Sequence, residues 1–124
     1  MSPRASATAH ELSRIGLLAT LSGEQLARLA SRMRRAEIPP GRAIVAEGEV
    51  GERFYVVLTG MLAVSQEYLG ARRVLQPGDY FGEVGAAMDM PRTATVRALT
   101  PAVVASCDRE TFDEFVRPLF SDDV

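Results

Sequence analysis

At 124 residues, with 47% apolar residues, the chain has material for one domain and its core, which excludes wholesale disorder and two full-sized domains. A formal charge of −2 excludes a general polyanion binder, which carries a strong basic excess. The single cysteine, Cys107, excludes an internal disulfide and fits a reducing cytoplasm.

The start, "MSPRASATAH", lacks an apolar signal core, and residues 1–9 read as a mobile tail before a domain spanning 10–124. No apolar stretch approaches the roughly 20 residues of a membrane span. Thr8 with Glu11 forms a capping box for a short helix that Gly16 is expected to end. Ser22 with Gln25 forms a second, with Leu21 and Leu26 spaced as a hydrophobic staple. Leu26, Leu29, Ala30 and Met33 then keep helical spacing, so one face is apolar. Arg32, Arg34 and Arg35 read as the solvated end of that helix rather than a nucleic-acid patch.

From residue 36 short apolar runs are punctuated by glycine: "AIV", "FYVVL", "MLAVSQEY", "RRVL", "TATVRA" and "AVVAS". Thr59-Gly60 is expected to close a tight hairpin, the tip near Leu69-Gly70 another, and Pro77-Gly78 a type II turn. Strands at this spacing imply a roll or sandwich, not alternating β/α units. Cys107 ends an apolar run and reads as a small core residue rather than a nucleophile. Asp108 caps a last helix with Phe112, Phe115 and Val116 on one face, which Pro118 is expected to break. The expected fold is therefore mainly β: a jelly-roll-like β-roll flanked by N-terminal helices and a C-terminal helix.

One segment departs from core grammar. "FGEVGAAMDMPRTATV", Phe81 to Val96, sets Glu83 and Arg92 among glycines, alanines and apolar residues. A helical turn starting near Val84 would leave its first N–H groups unpaired and partly positive. Gly85, Ala86 and Ala87 would let a ligand approach that backbone, which is how a phosphate is cradled without a large basic patch. Arg92 would supply the countercharge through its bidentate fork. Glu83 cannot hold the same anion and would accept from a neighbouring hydroxyl, such as a ribose 2′-OH. A phosphate beside a sugar hydroxyl suggests a nucleotide.

This segment resembles the phosphate-binding cassette of cyclic-nucleotide-binding domains, of the catabolite activator protein and protein kinase A regulatory subunit type. "GLLATLSGEQLARLA", "IPPGRAIVAEGEVGERFYVVLTG", "QPGDYFGE" and "DRETFDEF" resemble the family's other signposts, in order, from about Leu17 to Phe115. The resemblance implies that Glu83 holds the ribose 2′-OH and that Arg92 pairs with the cyclic phosphate, aided by N–H groups of Gly85 and Thr93. It implies that Gly82 is part of the cassette, that Val64 and Val84 pack on the purine, and that Gly41, Gly48, Gly51, Gly60 and Gly78 are turn positions. The ligand expected is cAMP, the common bacterial-type ligand, with cGMP open through Thr93, because threonine after the arginine is associated in the family with cGMP acceptance.

The sequence departs from the family in three places. Ala86 and Ala87 stand where larger residues are usual, the "QEYLGARRV" hairpin is short, and Arg72 falls near a position where an apolar base contact is expected. Residues 10–124 are expected to be a single domain without most of the lid helix and the output domain that the resemblance implies, either cut from a larger protein or acting as a free-standing sensor with a separate partner. The function expected is a cytoplasmic regulatory module that senses a cyclic nucleotide and reports to an attached or partner output domain, with no membrane span and no direct nucleic-acid binding. The alternative is a ligand-free interaction module of the same fold, in which Glu83 and Arg92 form a salt bridge. An enzyme is not expected: the only histidine is His10, so neither a catalytic triad nor a histidine-rich metal site can be assembled.

Overall fold

The computed structural model describes residues 6–88 and 90–120, apart from the side chains of Ala71, Arg72 and Met88. Two short helices open it, α1 (Ala9–Leu12) and α2 (Gly23–Ser31), with a 3₁₀ turn at Gly16–Leu18 between them. Both capping boxes are present: the Glu11 N–H donates to Thr8 Oγ1 and the Gln25 N–H to Ser22 Oγ, with Glu11 and Gln25 returning the bond. Eight strands follow: β1 (Arg34–Ile38), β2 (Ala43–Val45), β3 (Phe54–Thr59), β4 (Leu62–Gln66), β5 (Gly70–Leu75), β6 (Tyr80–Phe81), β7 (Thr95–Ala98) and β8 (Ala102–Cys107). Helix α3 (Glu83–Met88) interrupts them between β6 and β7.

The strands form two antiparallel four-stranded sheets, ordered β1-β8-β3-β6 and β2-β7-β4-β5. Alternation in β3 sends Phe54 and Val56 toward the helices and Tyr55 and Val57 toward the second sheet. Strand β8 is buried on both faces in the same way, through Ala105 and Cys107 on one and Ala102 and Val104 on the other. That double burial explains why "FYVVL" and "AVVASC" are unbroken apolar runs. The helices pack Leu12, Leu29, Met33, Phe112 and Val116 over the outer face of the first sheet. The architecture is the β-roll between N-terminal helices and a C-terminal helix.

Several boundaries differ from the sequence reading. Thr59-Gly60 joins strands of different sheets, so it is a corner rather than a hairpin. An apolar run, a glycine turn and a second apolar run serve either purpose, and only the partner strands decide. Helix α1 ends at Leu12, and Gly16 begins the 3₁₀ turn instead of stopping the helix. Arg32 caps α2 at its C-terminus, whereas Arg34 and Arg35 already lie in β1, paired with Ser106 and Ala105. Of the expected tail, Ser6 bridges Arg34, Ala7 is buried and Ala9 is helical, while residues 1–5 lie outside the described residues.

The last helical segment runs as α4 (Arg109–Thr111), a π turn at Phe112–Val116 and α5 (Arg117–Phe120). Asp108 caps it, accepting from the Thr111 N–H at 2.9 Å. Pro118 does not break it. The π turn inserts a residue before the proline, the Arg117 N–H reaching back to the Phe112 carbonyl, and Pro118 then sits in the first turn of α5, where its missing N–H costs little. Among the described residues no helix is long and apolar enough to cross a membrane.

Candidate functional site

Strand β6 delivers the chain to Gly82, whose φ of 89° is left-handed, and helix α3 starts at the next residue. A side chain at Gly82 would meet the Arg53 carbonyl at 2.6 Å, so the close approach as well as the φ calls for glycine. The Ala86 N–H reaches the Gly82 carbonyl at 3.0 Å. Those of Glu83, Val84 and Gly85 form the open, partly positive end of the helix.

Arg92 is held from its backbone outward. Its N–H donates to the Glu49 carbonyl and its own carbonyl accepts from the Gly48 N–H, both at 2.8 Å, and Val50 bridges Pro91 beside them. The cassette is thereby stitched to the β2–β3 loop. The side chain is only 9% exposed, and Nη2 donates to the Arg53 carbonyl at 3.0 Å. The guanidinium also lies 6.0 Å from the Tyr55 ring, which stacks on Phe81 at 4.7 Å.

The rest of its setting is glycine backbone. A Cβ at Gly51, Gly82 or Gly85 would come within 2.9, 3.1 and 2.9 Å of guanidinium nitrogens. A Cβ at Gly85 would in addition strike the Gly51 carbonyl at 2.6 Å. Small residues here therefore make room for an arginine head group in the wall of a pocket. A fork that donates one hydrogen bond, to a single carbonyl, keeps donors for something else.

That pocket has a volume of about 190 Å³. Gly82, Glu83, Val84, Gly85, Arg92, Thr93 and Val64, expected as ligand residues from sequence, all line it. Glu83 is half-buried and makes no ion pair with Arg92 among the described residues, so the salt bridge of the alternative reading is absent from this structure. Val84 is 44% exposed at the rim, and the Thr93 carbonyl accepts from Gln66 Nε2 at 2.9 Å.

Sequence reasoning missed Val45, Arg73, Phe81, Pro91, Ala94 and Val96 in the lining. Phe81, Pro91, Ala94 and Val96 lie inside the segment already singled out, so proximity alone was a signal for them. Val45 and Arg73 come from other strands and carry no local signal. Among the described residues there is no cluster of three or more His, Cys, Asp or Glu side chains that could hold a metal. Cys107 is fully buried, and burial pushes its thiol up to about 12, which leaves it protonated and inert.

The two alanines of α3 have a local explanation. Ala86 is fully buried, its carbonyl accepting from Arg109 Nε at 3.1 Å, and the Ala87 carbonyl accepts from Arg117 Nη2 at 3.2 Å. Small side chains let the terminal helical segment come this near, so α3 is tied by its carbonyl end to α4 and α5.

Comparison with known proteins points the same way. Residues 35–118 match the profile described as the cyclic nucleotide-binding domain. The chain is similar to the cAMP-dependent protein kinase regulatory subunit of Debaryomyces hansenii, at 38% identity over 104 residues, covering 84% of this chain and 23% of that protein. It spans less than a third of the length of such relatives. The regulatory domain of Toxoplasma gondii protein kinase A, solved with cAMP, is similar at a TM-score of 0.83 and 26% identity, over 90% of this chain and 44% of that one. So is the regulatory subunit of a cAMP-independent protein kinase A from Trypanosoma brucei, at a TM-score of 0.84 and 27% identity, over 90% and 41%.

Proposed function

Because the chain belongs to the cyclic nucleotide-binding domain family, we propose that it is a regulatory module that binds cAMP or cGMP through the α3 cassette and transmits that binding to an output domain or partner protein. Binding, not turnover, is its activity. The observation that carries this reading is Arg92: a nearly buried guanidinium, walled by three glycine backbones, in the lining of a pocket that also contains Glu83. A cyclic phosphate would take the fork of Arg92 and the open N–H groups of α3. Glu83 would accept from the ribose 2′-OH, and Val64 and Val84 would flank the purine. The carbonyl links from Arg109 and Arg117 to α3 offer a path from the cassette to the C-terminal helix. Its place of action would be the cytoplasm.

A second reading, a ligand-free module, draws support from the likeness to the cAMP-independent regulatory subunit. The two differ in one measurable way, since a ligand that binds only the folded state stabilises it by mass action. At a hundred times its Kd the gain is about 2.7 kcal/mol. A rise in the thermal midpoint with cAMP or cGMP, absent with AMP or GMP, supports binding. An unchanged midpoint at millimolar nucleotide favours the ligand-free module.

A further inference from the structure

Among the described residues, the buried polar or charged ones are Arg92, Ser106 and Thr111. Thr111 belongs to the Asp108 cap and Arg92 to the pocket, which leaves Ser106 to be explained. It sits late in the apolar run of β8, 5% exposed, on the face that also carries Ala102 and Val104. A hydroxyl there needs a partner. Arg53 supplies it: Nε donates to Ser106 Oγ at 2.9 Å and Nη2 to the Ser106 carbonyl at 3.0 Å. The carbonyl of Arg53 in turn accepts from Arg92 Nη2 at 3.0 Å. Side chain and carbonyl of one residue therefore link β8 to the pocket arginine. Residues 51–53 belong to no helix or strand, so no ladder sets the direction of that carbonyl. A Cβ at Gly82 would come within 2.6 Å of it, so it stands against the cassette backbone as well as the fork. Arg53 itself does not line the pocket.

We propose that Arg53, clamped to Ser106, is a positioning residue that aims the Arg92 fork at the cyclic phosphate. The inference rests on the binding reading above and deepens it: the ligand meets Arg92, and β8 holds Arg92 in place through Arg53. Two bonds from a planar guanidinium fix the orientation of the clamp, which a single ammonium contact would not. Without the clamp the carbonyl is free to turn, and re-ordering the fork then offsets part of the phosphate contact. The charge of Arg53 is a separate effect, because it attracts an anion whether or not Arg92 is present.

The test is a double-mutant cycle by isothermal titration with cAMP and cGMP, on the chain, Arg53→Met, Arg92→Ala and the double variant. Methionine keeps the apolar stem and removes both donors. Arg53→Met is expected to weaken both nucleotides by the same factor, about five- to thirtyfold, because the phosphate is common to them. With Arg92→Ala already present, adding Arg53→Met is expected to change affinity by less than about twofold. Ser106→Ala deletes one of the two bonds and leaves the charge of Arg53 in place. It is expected to weaken binding about two- to fivefold, again only when Arg92 is present, and it carries the test if Arg53→Met does not fold. A loss that persists in the Arg92→Ala background would overturn the proposal, since Arg53 would then act by its charge or through the fold. So would unchanged affinity in Arg53→Met and Ser106→Ala, and in that case a loss in Arg92→Ala leaves the binding reading standing. If the unaltered chain binds neither nucleotide, the binding reading falls and this inference with it.

Discussion

At the residue scale, the arrangement around Arg92 explains why glycine recurs at Gly51, Gly82 and Gly85, places far apart in sequence. Gly85→Ala would set a methyl against the Gly51 carbonyl, which is backbone and cannot swing aside. The expected cost is about 1–3 kcal/mol of stability, read from chemical denaturation, together with weaker nucleotide binding. A variant as stable as the parent would show that the cassette packs more loosely than described. Glu83→Gln tests a different bond. It should weaken a cyclic ribonucleotide while hardly changing a 2′-deoxy analogue, because the lost contact needs that hydroxyl, and equal losses would assign Glu83 to the fold. The cassette was legible because Phe81 to Thr93 is contiguous and chemically odd for a core. Arg73 was not: a bulge between Val64 and Ser65 sets the β4–β5 register, and no sequence pattern announces it.

At the element scale, the terminal helical segment depends on its first residue. Hydrogen bonds from the Thr111 backbone and side chain hold the Asp108 carboxyl below its usual range. A depressed carboxyl contributes stability that is present above its unfolded pKa and is lost as pH falls through the folded value. Asp108→Ala should therefore cost about 1 kcal/mol at neutral pH and much less in acid, and Asp108→Asn should retain most of the cap at both. Denaturation curves at pH 7 and pH 3 would show it; an equal loss at both would mean that the carboxylate charge is irrelevant. Helix starts were readable since caps are local, while the passage through Pro118 was not. A π turn stabilised by packing of Phe112, Phe115 and Val116 is a tertiary outcome. The Thr59-Gly60 corner escaped for the same reason: its identity rests on β6, β7 and β8, distant in sequence.

At the scale of the whole molecule, two cores meet at β3 and β8, which are packed on both faces. The cassette is joined to that body through Gly48, Glu49 and Arg53, and to the terminal helix through Arg109 and Arg117. A ligand shifts such an assembly only by its differential affinity for two states. Hydrogen exchange should thus gain protection in residues 82–93 and 108–118 when nucleotide is added, with little change in β3 and β8. Protection confined to α1 and α2 would contradict that coupling. The roll was readable from its turn spacing, and the sheet order was not, because strand pairing is non-local. The central claim is that Arg92 holds a cyclic phosphate, and isothermal titration of the chain and of Arg92→Ala with cAMP and cGMP tests it most directly. Saturable binding by the parent, with a loss of about 1.5–3 kcal/mol in the variant, or roughly tenfold to a hundredfold in Kd, is the predicted result. Equal affinity in the two proteins, or no binding by the parent, would contradict it.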